Sequence, residues 1–297
     1  MNFHPDFKIT STRFYYASRR EFVRTPRVLV CGDAMMDHYW SGRAKSISAE
    51  APVPVYLIEN MDVREGAAAN VANNIEAMGV PCERMFGGSL ERINKIRVMA
   101  KEQHVCRIDF DPQQLAIRVD ADYEDALARC TAVVFVDYGK GALTNIRDLI
   151  AKANQMERYV LVDPKGHDFN KYRGADLIKP NRDEMRALVG GWKNQHELDL
   201  KAHQFLIDSG IKAMLLTQAE DGMTLYEHGN THHCPPFPAD GPIVDVSGAG
   251  EAALSAYAAC ISLGVDCERA LAAANKAAAL CIRRHGTTVL KKEEVFG

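Results

Sequence analysis

Short apolar runs, mostly β-branched and each closed by Asp, Pro, Gly or Thr, recur along this chain and predict buried strands over 27–33, 132–136, 159–162, 176–178 and 213–217. Between them, apolar residues recur at helical spacing over 66–78, 123–130, 145–155, 181–189 and 197–209. Strand–helix alternation predicts an α/β fold with a mostly parallel sheet and helices on both faces. In such sheets ligands bind beyond the carboxyl ends of the strands. Asp33, Asp137, Asp163, Asn181 and Thr217 all lie at predicted strand ends and so share one rim. Two segments, 53–58 and 96–110, carry β-like patterning with polar interruptions and predict a small lid sheet projecting from the main one.

Composition narrows the classes. With 297 residues, 47% apolar and 25% charged, the chain has enough material for one large globular domain with a small appendage. A net charge of −3 gives no basic field for nucleic acid, and no apolar run is long enough for a transmembrane segment. Eight scattered cysteines without a Cys-x-x-Cys pair predict free thiols in a reducing compartment rather than a zinc site. His232-His233-Cys234 reads as a solvated loop. Residues 1–26 form a basic arm with Arg13, Arg19, Arg20 and Arg24, and without the apolar core of a secretory signal. It reads as a mobile arm, with an organellar transit peptide or a docking segment for a larger complex as alternatives. The globular body is then 27–297, with lid strands within about 37–60 and 93–111.

The candidate chemistry centres on Asp245-Val-Ser-Gly-Ala-Gly-Glu251, which runs straight into an apolar helical stretch. A tight turn into a helix start is expected to leave the N–H groups of Gly248, Ala249, Gly250 and Glu251 without intrahelical partners, a site for an anion such as phosphate. Glu251 at its mouth is a candidate general base, so the pair points to phosphoryl transfer. Small residues at 66–74 admit a ligand to the backbone, and Asn70 can bond hydroxyls. Lys95, Arg97, Lys101 and Arg107 differ by even numbers and in an unbroken strand would share a face, either a phosphate clamp or a charged protective edge. Asp137-Tyr-Gly-Lys140-Gly and Asp163-Pro-Lys165 each put an acid and a base on a strand-end turn. Asn181 and Glu184 fit a helix capping box, and facing the cleft they would hold Mg²⁺ through water.

Taken together these motifs resemble the PfkB/ribokinase superfamily of carbohydrate kinases, and within it the branch acting on heptose 7-phosphate. The resemblance runs from about Arg27 to about Leu290. It rests on Gly32-Asp-Ala-Met-Met-Asp37, Ile47-Ser-Ala-Glu-Ala-Pro-Val-Pro-Val55, Ala68-Ala-Asn-Val-Ala72, Lys95-Ile-Arg-Val98, Asp137-Tyr-Gly-Lys-Gly-Ala-Leu143, Asp163-Pro-Lys-Gly166, Lys179-Pro-Asn181 with Glu184, and Asp245-Val-Ser-Gly-Ala-Gly250. It implies a ribokinase-like three-layer sandwich whose β-lid also clasps a homodimer, with Mg-ATP at the glycine loop and a sugar phosphate under the lid. Asp37, Asn70, Lys95, Arg97 and Arg107, with Asp137 and Lys140, would face the sugar phosphate. Lys165, Asn181, Thr217, Gly222 and Asn275 would lie near ATP, Asn181 and Glu184 would organise Mg²⁺, and Gly248 to Gly250 would hold the migrating charge.

The chain departs from the family pattern in several places. The base is Glu251 where the family has Asp. The stretch 79–95 is short, as though one helix and one sheet strand had been replaced by Phe86-Gly-Gly-Ser-Leu90. Ala67 replaces the second glycine of Gly-Gly-Ala-Ala-Asn, and Gln218 stands where Arg is usual. Two readings follow. One is an ATP-dependent sugar-phosphate kinase with Glu251 as base, working in the cytoplasm, or in an organelle matrix if the arm is a transit peptide. The other is a catalytically weak or inactive descendant kept as a structural subunit.

Overall fold

The apolar pentapeptides form the middle of one sheet because both of their faces are covered. The computed structural model describes residues 25–100, 103–227 and 229–297, so nearly all of the predicted basic arm, and Lys101, lie outside the described residues. In chain order the strands are β1 (Val28–Gly32), β2 (Ala34–Ile47), β3 (Pro54–Ala67), β4 (Cys82–Phe86), β5 (Asn94–Ala100), β6 (Gln103–Phe110), β7 (Ala132–Val136), β8 (Tyr159–Asp163), β9 (Leu177–Ile178), β10 (Ala213–Thr217), β11 (Met223–Glu227) and β12 (Asn230–Cys234). The helices are α1 (Ala68–Ala77), α2 (Ala121–Arg129), α3 (Ile146–Gln155), α4 (Arg182–Val189), α5 (Gln195–Ser209), α6 (Ala249–Ser262), α7 (Cys267–Cys281) and α8 (Lys292–Phe296).

The main sheet has eight strands in the order β12-β11-β10-β9-β8-β7-β1-β4. It is parallel from β10 to β4, with β11 and β12 added antiparallel. Alternate residues feed two cores. Val28, Val30, Val134 and Leu161 pack on the α1, α6 and α7 side, and Leu29, Cys31, Phe135 and Val162 on the α2, α3 and α5 side. This is why the central strands read as continuous apolar runs. Where the sheet ends the sequence turns polar. On β4, Glu83 accepts from Arg27 at 3.0 Å and Arg129 at 3.1 Å, and Arg84 reaches Glu76 at 2.6 Å. Charge on an exposed edge discourages pairing with another chain. Phe86 closes this edge strand, so the short replacement begins only at Gly87. From there a single turn of 3₁₀ helix at Leu90–Arg92 leads to β5.

The lid is a second sheet, β3-β2-β5-β6. The even spacing of Lys95, Arg97 and Arg107 does not describe one unbroken strand: 96–110 is a hairpin, irregular at Val98/Met99. The shared face arises from cross-strand register instead. Arg97 opposes Arg107 and Lys95 opposes Asp109, while on the other side Lys95 opposes Asp37 and Arg97 opposes Tyr39.

Ala67, the replaced glycine, adopts φ 53° and ψ −126° where β3 hands over to α1. A side chain is disfavoured in that region and glycine is not. Ala67→Gly is therefore expected to stabilise the fold by about 1 kcal/mol, relief of strain exceeding the loss of one buried methyl. A higher urea midpoint at unchanged slope is the measurement that shows it.

Candidate active site

Three helix or strand ends converge on one carboxylate. Glu251 lies in the first turn of α6, is buried, and accepts from Tyr138 Oη at 2.6 Å on Oε1 and from the Asn70 amide on Oε2. Asn70 comes from the first turn of α1, and Tyr138 follows β7. Burial pushes the Glu251 carboxyl up to about 7, against the lowering effect of the Tyr138 and Asn70 hydrogen bonds and with further upward pressure from Asp163 and Asp37. A carboxylate poised near neutrality suits proton abstraction.

The cleft beside it, about 200 Å³, is lined by Asp137, Tyr138, Asp163, Lys165, Lys179 and Asn181, with Glu184, Gly248 and Gly250 completing the wall. Gly248 is left-handed at φ 78° and caps α6. The expectation of four unengaged N–H groups needs one correction. Ala249 N–H turns back to Val246 O at 3.4 Å, because the left-handed Gly248 closes that turn on itself. Among the described residues no hydrogen bond takes the N–H of Gly250 or Glu251, so the helix start still presents donors to an anion.

Lys179 deepens the positive side of the cleft. It is almost fully buried, 3.0 Å from Asp163, and a methyl group at Gly250 would stand 2.8 Å from its Nζ. Burial opposes its charge, but Asp163, Glu184 and Glu251 outweigh that effect and hold its pKa above the usual lysine value. Asn181 and Glu184 form the capping box: Asn181 Oδ1 accepts from the N–H groups of Asp183 and Glu184 at 2.9 Å, and Asn181 N–H donates to Glu184 Oε2 at 2.9 Å. Glu184 nevertheless lines the cleft, and burial raises its pKa. Among the described residues no group of three or more His, Cys, Asp or Glu is arranged to hold a metal directly. His232 instead faces Glu268, and His233 pairs with Thr224.

Other predicted residues divide. Asp37 is buried and paired with Arg97 at 2.6 Å, and Lys95 stands 5.1 Å from the Tyr138 ring, its pKa lowered by burial. These sit together on the inner lid face. Arg107 shares that face but is exposed and bound to Asp109 at 2.8 and 3.0 Å, because β6 is the outermost lid strand. Asp137 lines the cleft with its carboxylate engaged by Lys171, Tyr172 Oη and Gly139 N–H, at 2.7, 2.7 and 2.8 Å. Lys140 pairs with Asp111. Thr217 bridges to Asn181, and Gly222 lies against the Cys234 backbone too closely for a side chain. The Asn275 amide is spent on Pro235 O at 2.5 Å, so it braces the end of β12. Gln218, at the family's Arg position, is buried and bonded to Thr224 at 2.5 Å.

Several residues have organising roles that sequence reasoning did not assign, although Asp33 was placed on the rim. Asp33 accepts from the N–H groups of Tyr138, Lys140 and Ala142 at 2.9 to 3.0 Å and so shapes the whole turn. Its signal was its place directly after β1. Tyr39 is flanked by Arg64 and Arg97 at 5.3 and 5.1 Å, and its Oη accepts from Thr287 N–H at 3.1 Å. Arg64 donates to His285 O at 2.5 Å and Thr287 O at 2.9 Å, and Gly286 N–H donates to Asp245 at 2.9 Å. The lid is thereby latched to the segment that buttresses the glycine loop.

A family model for the pfkB family carbohydrate kinases matches residues 94–294, well over half of the chain. The chain belongs to this family of carbohydrate kinases. It is 36% identical over 306 residues to the D-beta-D-heptose 7-phosphate kinase of Bordetella bronchiseptica, covering 93% of this chain and 97% of that one. It is 38% identical over 297 residues to the bifunctional protein HldE of Pseudomonas fluorescens SBW25. That match covers 90% of this chain, which spans only 62% of the bifunctional protein's length. Ribokinase from Arabidopsis thaliana, solved with ribose and ATP, superposes with TM-score 0.71 over 92% of this chain and 97% of that chain at 17% identity, which fixes the ribokinase-like fold.

Proposed function

We propose that this chain is an ATP-dependent kinase that transfers the γ-phosphoryl group to a hydroxyl of a heptose 7-phosphate. The observation that carries the reading is the Glu251 carboxylate, held near neutrality beside the open N-terminus of α6. Glu251 takes the proton of the acceptor hydroxyl. The oxygen then bonds to the γ-phosphorus as the bond to the β-phosphate oxygen breaks, and ADP leaves. Gly250 and Glu251 N–H groups and Lys179 face the charge that develops. The name of the Bordetella bronchiseptica relative supports heptose 7-phosphate, and Lys95 and Arg97 on the inner lid face would supply cations for its phosphate. Lys165 and Thr217 are assigned to the nucleotide.

The donors around Asn181 and Glu184 are hard oxygens, and the half-buried Glu184 carboxylate, whose charge burial disfavours, would gain from a neighbouring cation. That set fits Mg²⁺ held through water and phosphate oxygens rather than in an all-protein cage. When bound, the ion neutralises phosphate charge. All eight cysteines are unpaired, in keeping with a reducing cytoplasm.

The decisive assay is ADP release with D-glycero-β-D-manno-heptose 7-phosphate against ribose and fructose 6-phosphate. Turnover should be highest with the heptose phosphate, and silence with every sugar would overturn the reading.

The lid is also read as the clasp of a homodimer. Met61, Val63, Ile108 and Phe110 are exposed on its outer face, the one opposite Asp37 and Arg97. Ile108→Glu is expected to convert the dimer to a 32.9 kDa monomer by light scattering. An unchanged mass would remove this face from the interface.

A further inference from the structure

We infer that Tyr138 is the positioning residue for Glu251, gripping one carboxylate oxygen while Asn70 holds the other, so that the longer acid of this chain is fixed in the wall of the cleft. The inference rests on the kinase reading for its consequence and on geometry for its substance. A glutamate has one more rotatable bond than an aspartate, and leaving it free would spread the carboxylate over several positions. Here both oxygens are taken, Oε1 by Tyr138 and Oε2 by Asn70.

Each gripping group is itself fixed. The Tyr138 N–H donates to Asp33 at 2.9 Å, and its ring has the Lys95 and Lys165 ammonium groups 5.1 and 6.0 Å from its centre. Asn74, wholly buried, donates to Asn70 Oδ1 at 3.0 Å, which turns the Asn70 amide nitrogen toward Glu251. Asn74 is held in turn by Leu290 N–H and Thr288 O, both at 3.0 Å.

The Tyr138 hydroxyl donates, so it stabilises the ionised carboxylate. The charged and titratable groups around Glu251 are Asp37 from β2, Asp163 from β8, Lys179 after β9 and Cys281 from α7, with Asp137, Lys165 and Glu184 in the wall of the same cleft. None of them is altered by removing one phenolic oxygen. Tyr138→Phe keeps the ring and deletes only the donor.

The acid limb of kcat/KM is therefore expected to move up by about one pH unit in Tyr138→Phe, with the loss at pH 6 exceeding the loss at pH 9 by about tenfold. A loss of equal proportion at every pH would mark a packing role and overturn the inference. In the resting protein, the carboxyl ¹³C signal of Glu251, identified by its absence in Glu251→Gln, should titrate about one unit higher in Tyr138→Phe. An unchanged titration would overturn the inference as well. The NMR arm needs no turnover, so a chain inactive on every sugar phosphate would sink the kinase reading while this result still decides the role of Tyr138.

Discussion

Glu251→Gln is expected to lower the rate of phosphoryl transfer by about 10²- to 10⁴-fold while making the protein more stable at pH 8. The rate falls because an amide cannot take the acceptor's proton. The stability gain follows from the same burial that raises the pKa of the proposed base. The carboxyl titrates at about 7 in the folded chain and at about 4.3 when unfolded, so the folded state binds the proton more tightly. Wild-type stability therefore declines as pH rises from about 4 to about 7 and stays reduced above that range. Glutamine carries no such penalty. Its carbonyl accepts from Asn70 and its amide donates to the Tyr138 oxygen, so both neighbours stay engaged and only the Tyr138 hydroxyl hydrogen gives up its acceptor. The gain should reach about 3 kcal/mol at pH 8 and shrink toward zero near pH 4. Urea titrations at both pH values, beside an ADP-release assay, measure the two effects together. A variant that keeps its rate would show that Glu251 is not the base, and one less stable than wild type at pH 8 would show that its buried charge carries no such penalty.

How much of this arrangement could be read from the sequence depended on where the information lay. Runs such as Ala132–Val136 and Ala213–Thr217 were legible because burial on both faces demands an unbroken apolar stretch. β4 was missed because it is an edge, and its Glu83 and Arg84 make it look like a surface loop. The lid strands were blurred for a similar reason: β2 passes from buried at Ala34 to exposed at Ile47, so no single period describes it. Local chemistry was also legible. The Asn181–Glu184 capping box needs only four consecutive residues, and it formed as expected. Roles created by convergence were not legible. Tyr138, Lys179 and Asn74 carry no distinctive spacing, and their importance comes from elements far apart in the chain meeting around Glu251. Conversely, Asn275 and Lys140 matched family positions, yet their polar groups are engaged by Pro235 and Asp111.

Lys179→Met should be among the most damaging single changes to this fold. Methionine fills nearly the same volume, so packing survives and the electrostatics are isolated. What remains is a group of carboxylates, Asp163, Glu184 and Glu251, around a site that has lost its buried cation. Breaking a buried pair by removing one partner costs about 3–5 kcal/mol. Because Lys179 has its pKa raised above the ordinary lysine value, its stabilising charge is complete below that ordinary value and is lost only as pH rises through the raised one. The direct loss of the ammonium charge is therefore the same at pH 6 and pH 9. Activity should fall further than stability explains, on the order of 10²- to 10³-fold, since Nζ lies beside Gly250, where the proposed transfer would gather charge. The double variant Lys179→Met/Asp163→Asn separates the two roles. Removing the stranded carboxylate should return most of the stability, and none of the rate, because the missing cation is still missing. If instead the double variant regains turnover, Lys179 serves only to neutralise Asp163, and the helix N-terminus alone handles the phosphoryl charge.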